Sequence, residues 1–222
     1  MKKIFLFLCV LLPTRVKVFL YKKVLGWDIH PSAKIGLSLL LCRKLVMAED
    51  TRIAHFTIVK GISLLCMDKS SSLGSLNWVS GFPLITSKHF SRDSSRYPML
   101  HIKEHGAITN KHLIDCTDSV TIGRYSTFAG FRSQILTHSI DLKEARQRCS
   151  PVEVGNYCFV GTNCVLLPGA KVPNKSILAA GAVLSVELVD EECLYGGVPA
   201  KKIKHIELDN YKYMSRTKGY IW

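Results

Sequence analysis

From Val154 onward an aliphatic side chain returns every sixth residue: Val154, Val160, Leu166, Val172, Leu178, Leu184. Two places ahead of each later one stands a small residue: Cys158, Cys164, Ala170, Ser176, Ala182. A period of six fits neither the helical repeat nor simple strand alternation. It suits a short strand plus a turn, with three such units closing one coil of a triangular prism, about eighteen residues per coil. The aliphatic column then points inward and stacks from coil to coil, and the small column sits at the crowded corners. The predicted fold class is all-β, a parallel β-helix. Cys158 and Cys164 belong to the small column on successive faces, so neither a disulfide nor a shared metal is expected of them.

The pattern continues upstream less regularly. Ile122–Gly123 opens a run in "VTIGRYSTFAGF", Ile35–Gly36 and Ile53–Ala54 lie eighteen residues apart, and Leu73–Gly74 follows. The stretch from Pro83 to Lys103 fits poorly and reads as a loop or insertion. The sharpest break is "ILTHSIDLKEARQRCSPVEVG", where the repeat stops near Leu136 and resumes at Val154. This polar excursion opens on Thr137–His138–Ser139 and contains Asp141. A prism of aliphatic columns is inert, so chemistry is expected where the rule breaks. A loop histidine titrates near neutrality and suits a general base. Asp141 could orient its imidazole or be a plain loop charge.

Charge changes the picture at the two ends. The 222 residues carry 30 Lys+Arg against 17 Asp+Glu. Before Asp28 stand Lys2, Lys3, Arg15, Lys17, Lys22 and Lys23 with no acid, and after Pro199 stand Lys201, Lys202, Lys204, Lys212, Arg216 and Lys218. The opening "MKKIFLFLCVLLP" resembles the front of a signal peptide, but no small-residue cleavage site follows. Its apolar run is too short to span a bilayer. Residues 1–28 therefore read as a basic amphipathic helical segment for an anionic membrane surface, the alternative being a helix packed on the domain. Residues 29–206 form the β-helix, and 207–222 a basic aromatic tail with a short helical part. The eight cysteines contain no CxxC, which points away from a zinc ribbon or a secreted disulfide framework and toward a reducing compartment. His101 and His105, four apart, would share a helix face, but the order is not HExxH.

The hexads, together with "HLIDCTDSVTIG", "LTHSIDL", "LAAGAVLSV" and "GGVPAKKIK", resemble the hexapeptide-repeat acyltransferase family of the sugar or polysaccharide O-acetyltransferase type. The resemblance implies a left-handed coil, where most parallel crossovers are right-handed. It implies acetyl-CoA as acyl donor with no metal, a homotrimer with sites between neighbouring prisms, and His138 as general base. Thr162, Ala180, Ser185, Lys201 and Lys204 match donor-binding positions. Val186 departs from the pattern, since relatives often carry lysine there. Trp78, Asn110 and His112 are the candidates for the acceptor cleft. The expected acceptor is a sugar, nucleotide-sugar or lipid-linked glycan hydroxyl in surface-glycan assembly, the expected place is cytoplasmic and peripheral on the inner face of the cell membrane, and no nucleic acid is expected. The alternatives are an N-acetyltransferase of an amino-sugar nucleotide and a zinc hydratase like the gamma-class carbonic anhydrases.

Overall fold

The computed structural model describes residues 2–84, 89–90 and 92–219. Three sheets of seven, nine and seven strands form the walls of a prism. Each coil contributes one short strand to each sheet in turn. Ile35 pairs with Ile53, as the eighteen-residue spacing requires, and Val154, Val160 and Leu166 pair with Val172, Leu178 and Leu184. All pairings along the walls are parallel except the closing one, where Lys201–His205 runs antiparallel to Cys193–Gly196.

The core is the aliphatic stack. On the second sheet it runs Ile35, Ile53, Leu73, Ile108, Phe128, Val160, Leu178, each at most 1% exposed. Burial of such a column is the main stabilising term, with each buried aliphatic side chain contributing about 1.5–3 kcal/mol. The five small residues from Cys158 to Ala182 are fully buried at the corners. Many corner residues also carry a donor that reaches the next coil. Ser126 Oγ donates to the Gly155 carbonyl at 2.5 Å, Cys158 Sγ to that of Pro173 at 2.9 Å, and Cys164 Sγ to that of Ala179 at 3.1 Å. All eight cysteines are free thiols. The glycine after an inward aliphatic residue lets successive coils approach, since a Cβ at Gly123 would overlap the Gly155 carbonyl.

Two corners turn through left-handed residues, such as His105, Tyr125 and Tyr157 at one and Lys111, Arg132 and Asn163 at the other. His105, Tyr125 and Tyr157 stack in a ladder with ring centroids 4.7 and 4.9 Å apart. His101 and His105 thus lie on no helix: His101 is in the strand Met99–Ile102 and His105 in the turn after it. The third corner, between the third and first sheets, is where the chain leaves the prism. One excursion spans 81–98, and the other is a hairpin of His138–Asp141 with Arg146–Cys149. The insertion is shorter than expected, because Met99–Ile102 is already back in the first sheet.

The N-terminal segment forms two helices, α1 (Lys2–Cys9) and α2 (Thr14–Leu25). They cover the open end of the first coil. Lys17 is buried and its Nζ donates to the Gly36 carbonyl at 2.6 Å, while Thr14 Oγ1 donates to that of Ile35 at 3.0 Å. Tyr21 packs edge-on against Trp27 beneath them. At the other end, 3-10 turns over Leu208–Asn210 and Lys212–Ser215 fold the tail back, with the Tyr213 hydroxyl 2.9 Å from Thr127 Oγ1 and from the Cys158 carbonyl.

Candidate active site

His138 opens the hairpin one coil beyond Asp115, which ends the third-sheet strand Leu113–Asp115. The two form a dyad: His138 Nδ1 lies 2.7 Å from Asp115 Oδ2. Asp115 is itself held in place. Its Oδ2 accepts the Thr137 backbone N–H and hydroxyl, both at 2.8 Å, and its Oδ1 accepts the Thr117 hydroxyl at 2.6 Å. Burial pushes the Asp115 carboxyl up, but the hydrogen bonds from His138, Thr117 and Thr137 outweigh it and hold the group below the usual carboxylate value. The same pair raises the imidazole above its ordinary 6.5, the Asp115 hydrogen bond prevailing over burial. With Nδ1–H fixed on the carboxylate, Nε2 of the neutral ring is left as the acceptor, the tautomer a general base needs.

The excursion 81–98 walls the imidazole. The rings of Phe82 and Phe90 stand nearly perpendicular to it, with centroids 5.4 and 6.1 Å away. Arg96 is buried and ties the excursion down, donating to the carbonyls of Phe82 at 2.7 Å, Thr117 at 3.0 Å and Pro83 at 3.1 Å while its guanidinium lies over Phe90. Arg92 pairs with Glu144 of the hairpin at 3.5 Å and Asp93 with Arg146 at 3.9 Å, so the two excursions are joined beside the dyad.

Two expectations are corrected. Asp141 does not orient the imidazole. Three residues along a strand it faces the other way, and its carboxylate closes the hairpin turn, accepting the Lys143 and Glu144 N–H groups and Arg148. Asp115 holds the place expected for it. His112 does not face a cleft. It fills the small-residue corner column between Asn77 and Ser133, fully buried. Its Nδ1 accepts the Ser133 N–H at 3.2 Å and its Nε2 lies 2.9 Å from Thr109 Oγ1, and burial pulls its pKa down to about 4. It is a neutral structural imidazole.

The remaining candidates fall on separate parts of the prism. Asn110 is exposed at a corner, where its Oδ1 accepts the Ser75 N–H at 2.7 Å and bridges two coils. Trp78 is half-exposed on the outer third sheet beside Leu113, with Lys60 Nζ 4.4 Å from its ring centroid. Thr162 and Ala180 share one corner on successive coils, and Thr162 Oγ1 donates to the Phe131 carbonyl at 2.9 Å. Ser185 lies at the far end of the third-sheet strand that begins beyond Ala180, toward the corner carrying His138. Lys201 and Lys204 are exposed on the closing antiparallel strand, and neither has an ion pair among the described residues. Val186 is exposed. On the first sheet, Cys66, Asp68 and His101 bring three potential ligand atoms within 4.8 Å of one another, and His101 Nε2 lies 3.1 Å from Asp68 Oδ2.

No family model matches the chain. A 58-residue segment is 43% identical to the 2,3,4,5-tetrahydropyridine-2,6-dicarboxylate N-acetyltransferase of Enterococcus faecalis, covering 26% of this chain and 24% of that protein. The match thus spans about a quarter of that relative's length. Among solved structures, the polysialic acid O-acetyltransferase OatWY superposes with a TM-score of 0.62 at 16% identity, over 81% of this chain and 84% of its own. A hexapeptide-repeat acetyltransferase from Vibrio cholerae, solved with acetyl coenzyme A, gives 0.52 at 21% identity over 64% and 71%. A hexapeptide transferase family protein from Anaplasma phagocytophilum gives 0.50 at 17% over 85% and 84%. The chain therefore has the fold of the hexapeptide-repeat acetyltransferases, a left-handed parallel β-helix.

Proposed function

We propose that this protein is an acetyl-CoA-dependent acetyltransferase acting on a sugar hydroxyl, with His138 as general base. The observation that carries the reading is the Asp115–His138 dyad at the root of the hairpin, walled by Phe82 and Phe90. In the reaction, Nε2 takes the hydroxyl proton as the oxygen attacks the thioester carbonyl. The tetrahedral adduct collapses, the C–S bond breaks, and the coenzyme A thiolate takes the proton back from the imidazolium. No covalent enzyme intermediate is needed. Asp115 keeps the ring in the right tautomer and stabilises its charged form.

The structure solved with acetyl coenzyme A supports the choice of donor. Thr162, Ala180 and Ser185 would line its pantetheine arm, and Lys201 and Lys204 would meet its phosphates. The working assembly is a homotrimer. Trp78 and Leu113, side by side on the outer third sheet and both more than a third exposed, support packing of a second prism on that face.

The segment shared with an N-acetyltransferase favours one second reading, an amine acceptor. Coenzyme A release measured against paired hydroxyl and amino sugars, free and nucleotide-linked, tests both. The hydroxyl reading expects turnover with a sugar lacking any amine and an ester product labile to mild base. Turnover confined to amino sugars, with a base-stable amide product, replaces it with the second reading, and no release with any acceptor sinks both.

A further inference from the structure

The N-terminal helices carry an apolar face that the fold leaves uncovered. Leu6 and Cys9 of α1 are buried against the prism. On the opposite side Ile4, Phe7 and Leu8 follow the i, i+3, i+4 spacing of one helical face and are 67%, 68% and 71% exposed, and Leu11, in the turn that follows the helix, is 80% exposed. A helix apolar all round is expected to be buried on every side, and this one is covered on one side only. On α2, Val16, Phe19 and Val24 are exposed too. Large exposed apolar patches mark interaction surfaces.

The charges around this face are of one sign. Residues 2–27 contain Lys2, Lys3, Arg15, Lys17, Lys22 and Lys23 and no acid. Lys17 is spent inside the fold on the Gly36 carbonyl, but Lys3, Arg15, Lys22 and Lys23 are solvent-exposed. Along the flank of α1 opens a cavity of about 440 Å³, mostly apolar, lined by Lys2, Lys3, Leu6, Arg43, Pro83 and Leu84 among others. Pro83 belongs to the excursion that walls His138, so cavity and dyad lie along one edge of the prism.

We propose that α1 and α2 dock this protein on an anionic lipid bilayer. The α1 stripe lies among the acyl chains near the headgroups, and the lysines and Arg15 meet lipid phosphates. An apolar face ringed by cations fits that interface. The helices lie on the bilayer: no helix of the described residues is long and apolar enough to cross it. The inference stands on the exposed stripe and does not depend on the acetyltransferase reading.

The test is flotation of the full chain with phosphatidylcholine vesicles with and without about 30% phosphatidylglycerol, for wild type, Phe7→Asp/Leu11→Asp and Lys22→Glu/Lys23→Glu. These side chains are exposed, so the fold should survive, and circular dichroism and thermal unfolding check that it does. Wild type should float with the anionic vesicles, with binding at least tenfold weaker on neutral ones and falling with salt. Phe7→Asp/Leu11→Asp should lose at least tenfold on both, and Lys22→Glu/Lys23→Glu only on the anionic ones. Wild type that stays at the bottom of the gradient, or a folded stripe variant that floats like wild type, overturns the proposal. So does wild type whose lipid-free self-association, measured by sedimentation, is abolished by Phe7→Asp/Leu11→Asp, since that assigns the face to a second copy.

Discussion

At the scale of single residues, the proposed chemistry rests on the pair Asp115 and His138. Asp115→Asn removes the carboxylate that fixes the ring's tautomer, and acetyl transfer should fall about 10²-fold or more at the pH optimum. The direction of the pH change follows from the raised imidazole pKa. Only the neutral ring accepts a proton, so kcat/KM of the wild type should fall as pH drops through a value above 6.5. Without the carboxylate, burial alone acts on the ring and lowers its pKa. The acidic limb of the residual activity in Asp115→Asn should therefore shift to lower pH, and a limb that stays in place contradicts the dyad. His138 was legible because it stands where the six-residue rule stops. Asp115 was not, because it ends a strand in perfect register and its partner lies 23 residues away across a coil boundary. His112 was legible but misassigned: it stands two places before the inward Ile114, the position that Cys158 holds before Val160, and so belongs to the buried corner column.

Among elements, the coils are nearly interchangeable and the excursions are not. The corner column tolerates loss of volume better than gain. Cys158→Ala gives up a thiol and its bond to the Pro173 carbonyl, a cost of about 1–2 kcal/mol. Cys158→Phe must force coils apart in a close-packed corner and should be markedly less stable. Urea unfolding of the two variants checks the order, and transferase activity of Cys158→Ala should match the wild type. The coils could be read from sequence because their spacing follows from strand geometry alone. The excursion 81–98 could be seen only as a failure of the pattern. Its place over His138 is set by Arg96 and its three carbonyl partners, contacts that no local periodicity encodes.

At the scale of the whole molecule, a prism with an aliphatic core separates two basic ends. The closing strand presents Lys201 and Lys204 away from the N-terminal helices in sequence and at the other end of the coil stack. If they serve the donor phosphates, Lys201→Glu/Lys204→Glu should raise KM for acetyl-CoA about tenfold with kcat little changed, and added salt should narrow the gap. An unchanged KM would return these lysines to a solvated surface. The basic ends were visible as counts, while the helices' division into a packed face and a bare one emerged only once Leu6, Cys9 and Lys17 were placed.

The proposed role of His138 as base for acyl transfer is tested most directly by the rate of coenzyme A release by purified, folded His138→Ala with a competent acceptor sugar. If His138 is the base, kcat should fall about 10²-fold or more with KM for acetyl-CoA nearly unchanged. Activity within about threefold of the wild type would contradict it.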